Sequence, residues 1–92
     1  MPIRRPVVAD PALAALLAEL RLVHVAAGEP TVRDLAVRSG GRISRDTVHR
    51  VLAADRVPRW RNLELVVLAL GGDVDRFHEL WVAARAAEVE QR

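Results

Sequence analysis

The side chains best equipped for chemistry in this chain are arginines, and they are bunched. Between Thr31 and Arg61 stand Arg33, Arg38, Arg42, Arg45, Arg50, Arg56, Arg59 and Arg61 against Asp34, Asp46 and Asp55, a net charge of +5. The first 30 residues carry three arginines and three acids, so they are neutral. The last 31 carry three arginines and six acids, a net −3. The overall +2 conceals this asymmetry. A guanidinium keeps its charge at every physiological pH and forks onto phosphate or guanine. A concentrated set of them is the electrostatic footprint of a surface built for a polyanion.

Other chemistries fit less well. Ser44, Asp46 and His49 hold the letters of a hydrolytic triad. They crowd on one helix start with no oxyanion site, so nucleophilic catalysis is set aside. His24 and His78 have no second ligand at i+3 or i+4, so no metal site is expected. The chain has no cysteine, which excludes disulfides and thiolate metal sites. Ser39-Gly40-Gly41-Arg42 is too short for a phosphate loop and lacks its Lys-Ser/Thr ending. Binding without catalysis or cofactor is the expectation. No apolar run nears the ~18 residues of a membrane span. Asp10-Pro11 interrupts any signal-type segment after Arg4 and Arg5, so a cytoplasmic protein is expected.

These arginines must be carried by helices. The chain has 92 residues, room for one modest domain whose elements share a single core. Residues 1–9, with two prolines and two arginines, read as a flexible N-terminal arm, and 10–92 as the domain. Asp10 then Pro11 is a helix start, an N-cap carboxylate followed by Pro at N1. Leu13, Leu16, Leu17 and Leu20 recur at i, i+3, i+4, i+7. Gly28 and Pro30 end this helix. Thr31-Val-Arg-Asp34 opens a second helix over about 32–39, with Val32, Leu35 and Ala36 inward. After the turn at 39–42, Ile43 is placed as a staple and Ser44 as the N-cap of a third helix over about 45–54. Val48, Val51 and Leu52 are its buried stripe. Beyond Pro58 a fourth helix has two apolar stripes, Leu63/Val66/Val67/Leu70 and Leu65/Leu68/Ala69, so it is buried on several sides or shared with a partner. Gly71-Gly72 stops it and Asp73 caps a fifth, with Phe77, Leu80, Trp81 and Ala84 inward. No strand alternation or hairpin turn is present. The fold expected is all-α, a compact five-helix domain containing a helix-turn-helix.

Thr31-Val-Arg-Asp-Leu-Ala-Val-Arg-Ser-Gly40, then Ser44-Arg-Asp-Thr-Val-His-Arg-Val-Leu52, then Pro58 and the helix ending Leu70-Gly71 together resemble the lambda-repressor-like (XRE) helix-turn-helix family. Leu68-Ala-Leu-Gly-Gly-Asp73 with Phe77 and Trp81 is similar to its small actinobacterial members. The likeness spans about residues 12–85. It implies a small Ala36 under a crossing helix, a positive φ at Gly40, and Val48 as the seal between the two helices. It also implies that the third helix enters the major groove through its N-terminal half while the second crosses the phosphates. By position, Arg45, Asp46, Thr47, His49 and Arg50 become candidate base-reading residues, with Ser44 at the cap among the DNA-binding set; Asp46 either orients Arg50, the favoured role, or accepts from cytosine N4. Arg33, Arg38, Arg42, Arg56, Arg59 and Arg61 become candidate phosphate contacts. Three positions depart from the family pattern. The Ala36–Val48 spacing of twelve is about two longer, so Gly41-Arg42 could hinge the third helix or reach a phosphate. Val32 stands where many relatives carry a backbone-bonding Gln. Ala54 stands at the usual C-cap glycine.

The resemblance implies a sequence-specific double-stranded-DNA-binding transcriptional regulator, nucleoid-associated and homodimeric. The second stripe of helix four and the helix-five tail are the expected self-association surfaces. Two alternatives stand beside it: a protein–protein interaction adaptor on the same fold, and the N-terminal module of a larger regulator. Individual residues keep a bland reading as well. Arg45 and Arg50 are solvated cations or, for Arg50, half of an i,i+4 pair with Asp46. His49 is open between DNA and plain surface. Trp60 is expected to pack its loop onto the core rather than wedge into DNA. Trp81 is core or interface.

Overall fold

The computed structural model describes residues 10–90, so the arm expected over 1–9 lies outside the described residues. Five helices follow one another: α1 (Pro11–Ala26), α2 (Val32–Arg38), α3 (Arg45–Leu52), α4 (Trp60–Leu70) and α5 (Val74–Glu90). No strand occurs among the described residues. The class is all-α, as the periodicity indicates.

Most helices start where a side chain answers their unpaired N–H groups. Asp10 Oδ2 accepts from Leu13 N at 2.9 Å, with Pro11 at the first helical position. Thr31 and Asp34 form a reciprocal capping box at 3.0 and 3.1 Å. Ser44 Oγ accepts from Thr47 N at 3.1 Å, and Asp73 Oδ1 from Arg76 N at 3.1 Å. Each such cap stabilises its helix by about 1 kcal/mol. Only α4 lacks one: its N-cap is Arg59, which makes no side-chain capping bond.

Helix α4 is central and packs against all four others. Its Leu63, Val66, Val67 and Leu70 are buried. Around it lie Leu13, Leu16 and Leu20 of α1, Leu35 of α2, Ile43, Val48 and Val51 of the turn and α3, and Phe77 and Ala84 of α5, all in one cluster. Helices α1 and α5 form the most extensive pair. Where the Val23 end of α1 meets the start of α5, Gly72 makes a tight fit. A Cβ there would stand 3.1 Å from Val23 Cγ1, 3.1 Å from Val67 Cγ1 and 3.7 Å from Phe77 Cε2.

Three sequence-based expectations are corrected. Helix α2 ends at Arg38 rather than 39, because Ser39 becomes the C-cap and turns its hydroxyl to the preceding carbonyls. Helix α3 ends at Leu52 rather than 54. Ala53 already departs from helical geometry at φ −104°, ψ 22°, and its N–H closes the last turn onto His49 O. The stripe Leu65/Leu68/Ala69 is not a free face. Leu65 is buried in the core and Ala69 is partly buried against it, leaving only Leu68 exposed, at 56%. A helix surrounded by four others uses most of its circumference within one chain.

Candidate nucleic-acid interface

The chain between α2 and α3 is held by a closed set of hydrogen bonds. Gly40 and Gly41 have φ of +71° and +79°, the left-handed region that glycine enters without a steric penalty. That reversal lets Gly40 N donate to Val37 O at 2.9 Å and Gly41 N to Ala36 O at 3.3 Å. Arg42 N donates to Ser39 O at 3.4 Å. Ser39 Oγ donates to Ala36 O at 2.6 Å and accepts from Ile43 N at 3.2 Å. Every backbone N–H from Ser39 to Ile43 therefore has an acceptor. Ile43, 4% exposed, drops into the core next in sequence to the Ser44 cap. The longer turn is closed by this set of hydrogen bonds.

Fastening the turn fixes which side of α3 faces outward. Val48 and Val51 are buried, and Leu52 and Thr47 are partly buried. At about 100° per residue the opposite side carries Arg45 and His49 in one i,i+4 row and Asp46 and Arg50 in another. All four are exposed. Arg50 Nη2 donates to Asp46 Oδ2 in an ion pair. Ser44 Oγ donates to Thr47 Oγ1 at 3.0 Å, so these two hydroxyls are engaged with each other at the helix start. Among the described residues, Arg45 and His49 have no side-chain partner. Arg42 is exposed on the turn just before them.

The remaining arginines are not gathered onto that face. Arg33 and Arg38 leave α2 about 140° apart, five residues along a helix. Arg38 Nη1 donates to Ala69 O at 3.4 Å, which ties α2 to the last turn of α4, where the helix dipole favours a cation. A phosphate contact by Arg38 would replace that bond. Arg56, Arg59 and Arg61 are exposed on the α3–α4 loop and the first turn of α4. That loop is pinned to α5, with Val57 N donating to Glu88 Oε2 at 3.3 Å and Trp81 Nε1 to Pro58 O at 2.8 Å. These three cations therefore follow the C-terminal end of α3, while Arg42 precedes its N-terminal end.

The titration of Asp34 is moved downward. The Thr31 backbone N–H donating to its carboxylate pulls its pKa below the ordinary 3.8, aided by the Thr31 side chain and, more weakly, by the charges of Arg38 and Arg33. It belongs to the α2 cap rather than to the outward face of α3.

Several functional partners escape sequence reasoning. Ser39 reads as one more turn residue, because its two bonds exist only once the turn has closed. His78 reads as isolated. It lies 4.7 Å from the Trp60 ring centroid, edge-on, and 6.1 Å from that of Trp81, stacked. Trp60 is thus packed onto α5, as expected of it. The His78–Trp81 spacing of i, i+3 was a visible signal, but Trp60 joins only through the fold. His24 Nε2 donates to Pro30 O at 2.9 Å and closes the α1–α2 connection. No group of three or more potential metal ligands occurs among the described residues. No described helix is long and apolar enough to cross a membrane.

Comparisons with protein-family models, with curated proteins and with solved structures found no match for this chain.

Proposed function

We propose that this domain binds double-stranded DNA through the outward face of α3 and acts as a transcriptional regulator of the XRE type, in the cytoplasm at the nucleoid. The observation that carries this reading is the α3 face itself. Arg45, His49 and Arg50 are held outward by a fully hydrogen-bonded turn and are not used by the core. An exposed α-helix is the element that fits the major groove. Arg42 at the turn supplies phosphate neutralisation, and Arg33, Arg56, Arg59 and Arg61, exposed elsewhere on the domain, are the further phosphate candidates. Up to five such contacts make log K fall with log[salt] at a slope of about −0.9 per contact. Binding of this kind needs no catalysis and no cofactor. One such module covers only about 600–1,000 Å² on DNA, so useful specificity calls for a homodimer on a pseudo-palindrome.

An electrophoretic shift assay at low salt tests the reading. The wild type should shift duplex DNA, and Arg45→Ala/Arg50→Ala should lose at least about tenfold in affinity. Failure of the wild type to shift its own promoter or random duplex refutes DNA binding. Equal binding by both proteins refutes α3 as the reading helix. Light scattering at tens of micromolar that shows only a monomer refutes the dimer.

The second reading, a protein-interaction adaptor, draws on α5. Val82, Ala86 and Val89 form an exposed apolar row at i, i+4, i+7, beside half-buried Trp81. Arg45→Ala/Arg50→Ala should leave a partner bound there untouched, whereas Val82→Asp should release it.

A further inference from the structure

The two rows on the outward face of α3 differ. Arg45 and His49 stand unpaired among the described residues, while Asp46 and Arg50 are joined. The i,i+4 spacing brings the two together, but the join adds little stability. The side chains are 70% and 73% exposed, and exposed i,i+4 pairs contribute little. Electrostatics argues against Asp46 altogether, since it places a carboxylate on the face that meets a polyanion. What the pair does create is a pattern: guanidinium N–H donors beside a carboxylate oxygen acceptor, within hydrogen-bond distance of each other. In the major groove a G·C pair presents N7 and O6 as acceptors and cytosine N4–H as a donor, side by side. Donors next to an acceptor are the complement of that edge. An A·T pair presents acceptor, donor, acceptor and methyl, so the carboxylate would meet thymine O4, acceptor against acceptor.

We propose that Asp46 and Arg50 work as a unit that reads one G·C base pair, with Arg50 on guanine O6/N7 and Asp46 accepting from cytosine N4. This rests on the DNA-binding function proposed above and assigns its sequence class, a site with a required G·C pair. Asp46 is then a specificity-determining residue that trades affinity for discrimination. Its repulsion from phosphate weakens binding to every duplex and is offset only where cytosine N4 is in reach.

The test is selection of duplexes from a random pool with the wild type. Competition shift assays follow on the selected site and on single base-pair variants, for wild type, Asp46→Ala and Arg50→Ala. Circular dichroism establishes that both variants are folded, as exposed positions allow. The wild-type site should contain a G·C pair whose change to A·T weakens binding by about tenfold or more. Asp46→Ala should reduce that preference to within about threefold and bind the A·T variant at least as tightly as the wild type does. Arg50→Ala should lose both the preference and affinity. Asp46→Ala retaining the tenfold preference overturns the pair while leaving DNA binding intact. So does a wild-type site with no G·C requirement. A wild type that shifts no duplex at low salt overturns both the pair and the function it rests on.

Discussion

Ser39→Ala isolates the fastening of the α2–α3 turn. The hydroxyl makes two bonds, donating to Ala36 O at 2.6 Å and accepting from Ile43 N at 3.2 Å. The first loss is mild, because Ala36 O keeps Gly41 N as a donor at 3.3 Å. A net hydrogen bond of that sort is worth about 0.5–1.5 kcal/mol. The second loss is larger. Ile43 is almost fully buried, and its N–H would be left without an acceptor, at about 1–3 kcal/mol. Together they predict a loss of about 1.5–4.5 kcal/mol, which in a domain of this size lowers Tm by about 6 °C or more. Urea denaturation of the variant and amide hydrogen exchange at Ile43 are the assays. Ser39→Thr retains the hydroxyl and should recover at least half of the loss. Under the proposed function, Ser39→Ala should also weaken discrimination between DNA sites below its Tm, because α3 is no longer held in one orientation. A stability loss under about 0.5 kcal/mol, or an unchanged Ile43 exchange rate, refutes the fastened turn.

Three further perturbations have definite signs. Gly72→Ala pushes a methyl to 3.1 Å from both Val23 Cγ1 and Val67 Cγ1, so it should cost about 1–2 kcal/mol in denaturant unfolding, and no change would mean that α1 gives way freely. Glu29 holds φ +53°, a left-handed conformation costly for a side-chain-bearing residue, so Glu29→Gly should stabilise by about 0.5–1 kcal/mol after glycine's extra unfolded entropy, and a destabilised variant would refute the strain. Asp34, whose folded pKa lies below 3.8, contributes stability that is present above its unfolded pKa and lost as pH falls through its folded pKa. The urea midpoint of the wild type should exceed that of Asp34→Asn at pH 5 and converge on it as the pH drops below about 3.8; a constant gap would remove Asp34 from the cap.

Five helices were legible because each leaves a local mark. Asp10-Pro11, Thr31…Asp34, Ser44 and Asp73 cap within three residues of themselves, and periodic Leu and Val mark the inner faces. The clustering of arginines over 31–61 was equally plain, since charge is additive along a chain. Helix ends were less legible. The termini of α2 and α3 depend on where Ser39 and Ala53 send their backbones, which local propensity specifies weakly.

By itself the sequence determined the class, the caps, the inner stripes and the basic segment, because all of these follow from neighbours a turn or two away. Only the tertiary structure decided how those cations are spent. Arg38 is drawn to Ala69 O across 31 residues. Arg56, Arg59 and Arg61 follow a loop that Glu88 and Trp81 pin to α5. It also decided that Leu65 belongs to the core rather than to a partner, because α4 lies at the centre of the bundle. These are long-range outcomes of packing one shared core, and no window of sequence contains both ends of the contacts that produce them.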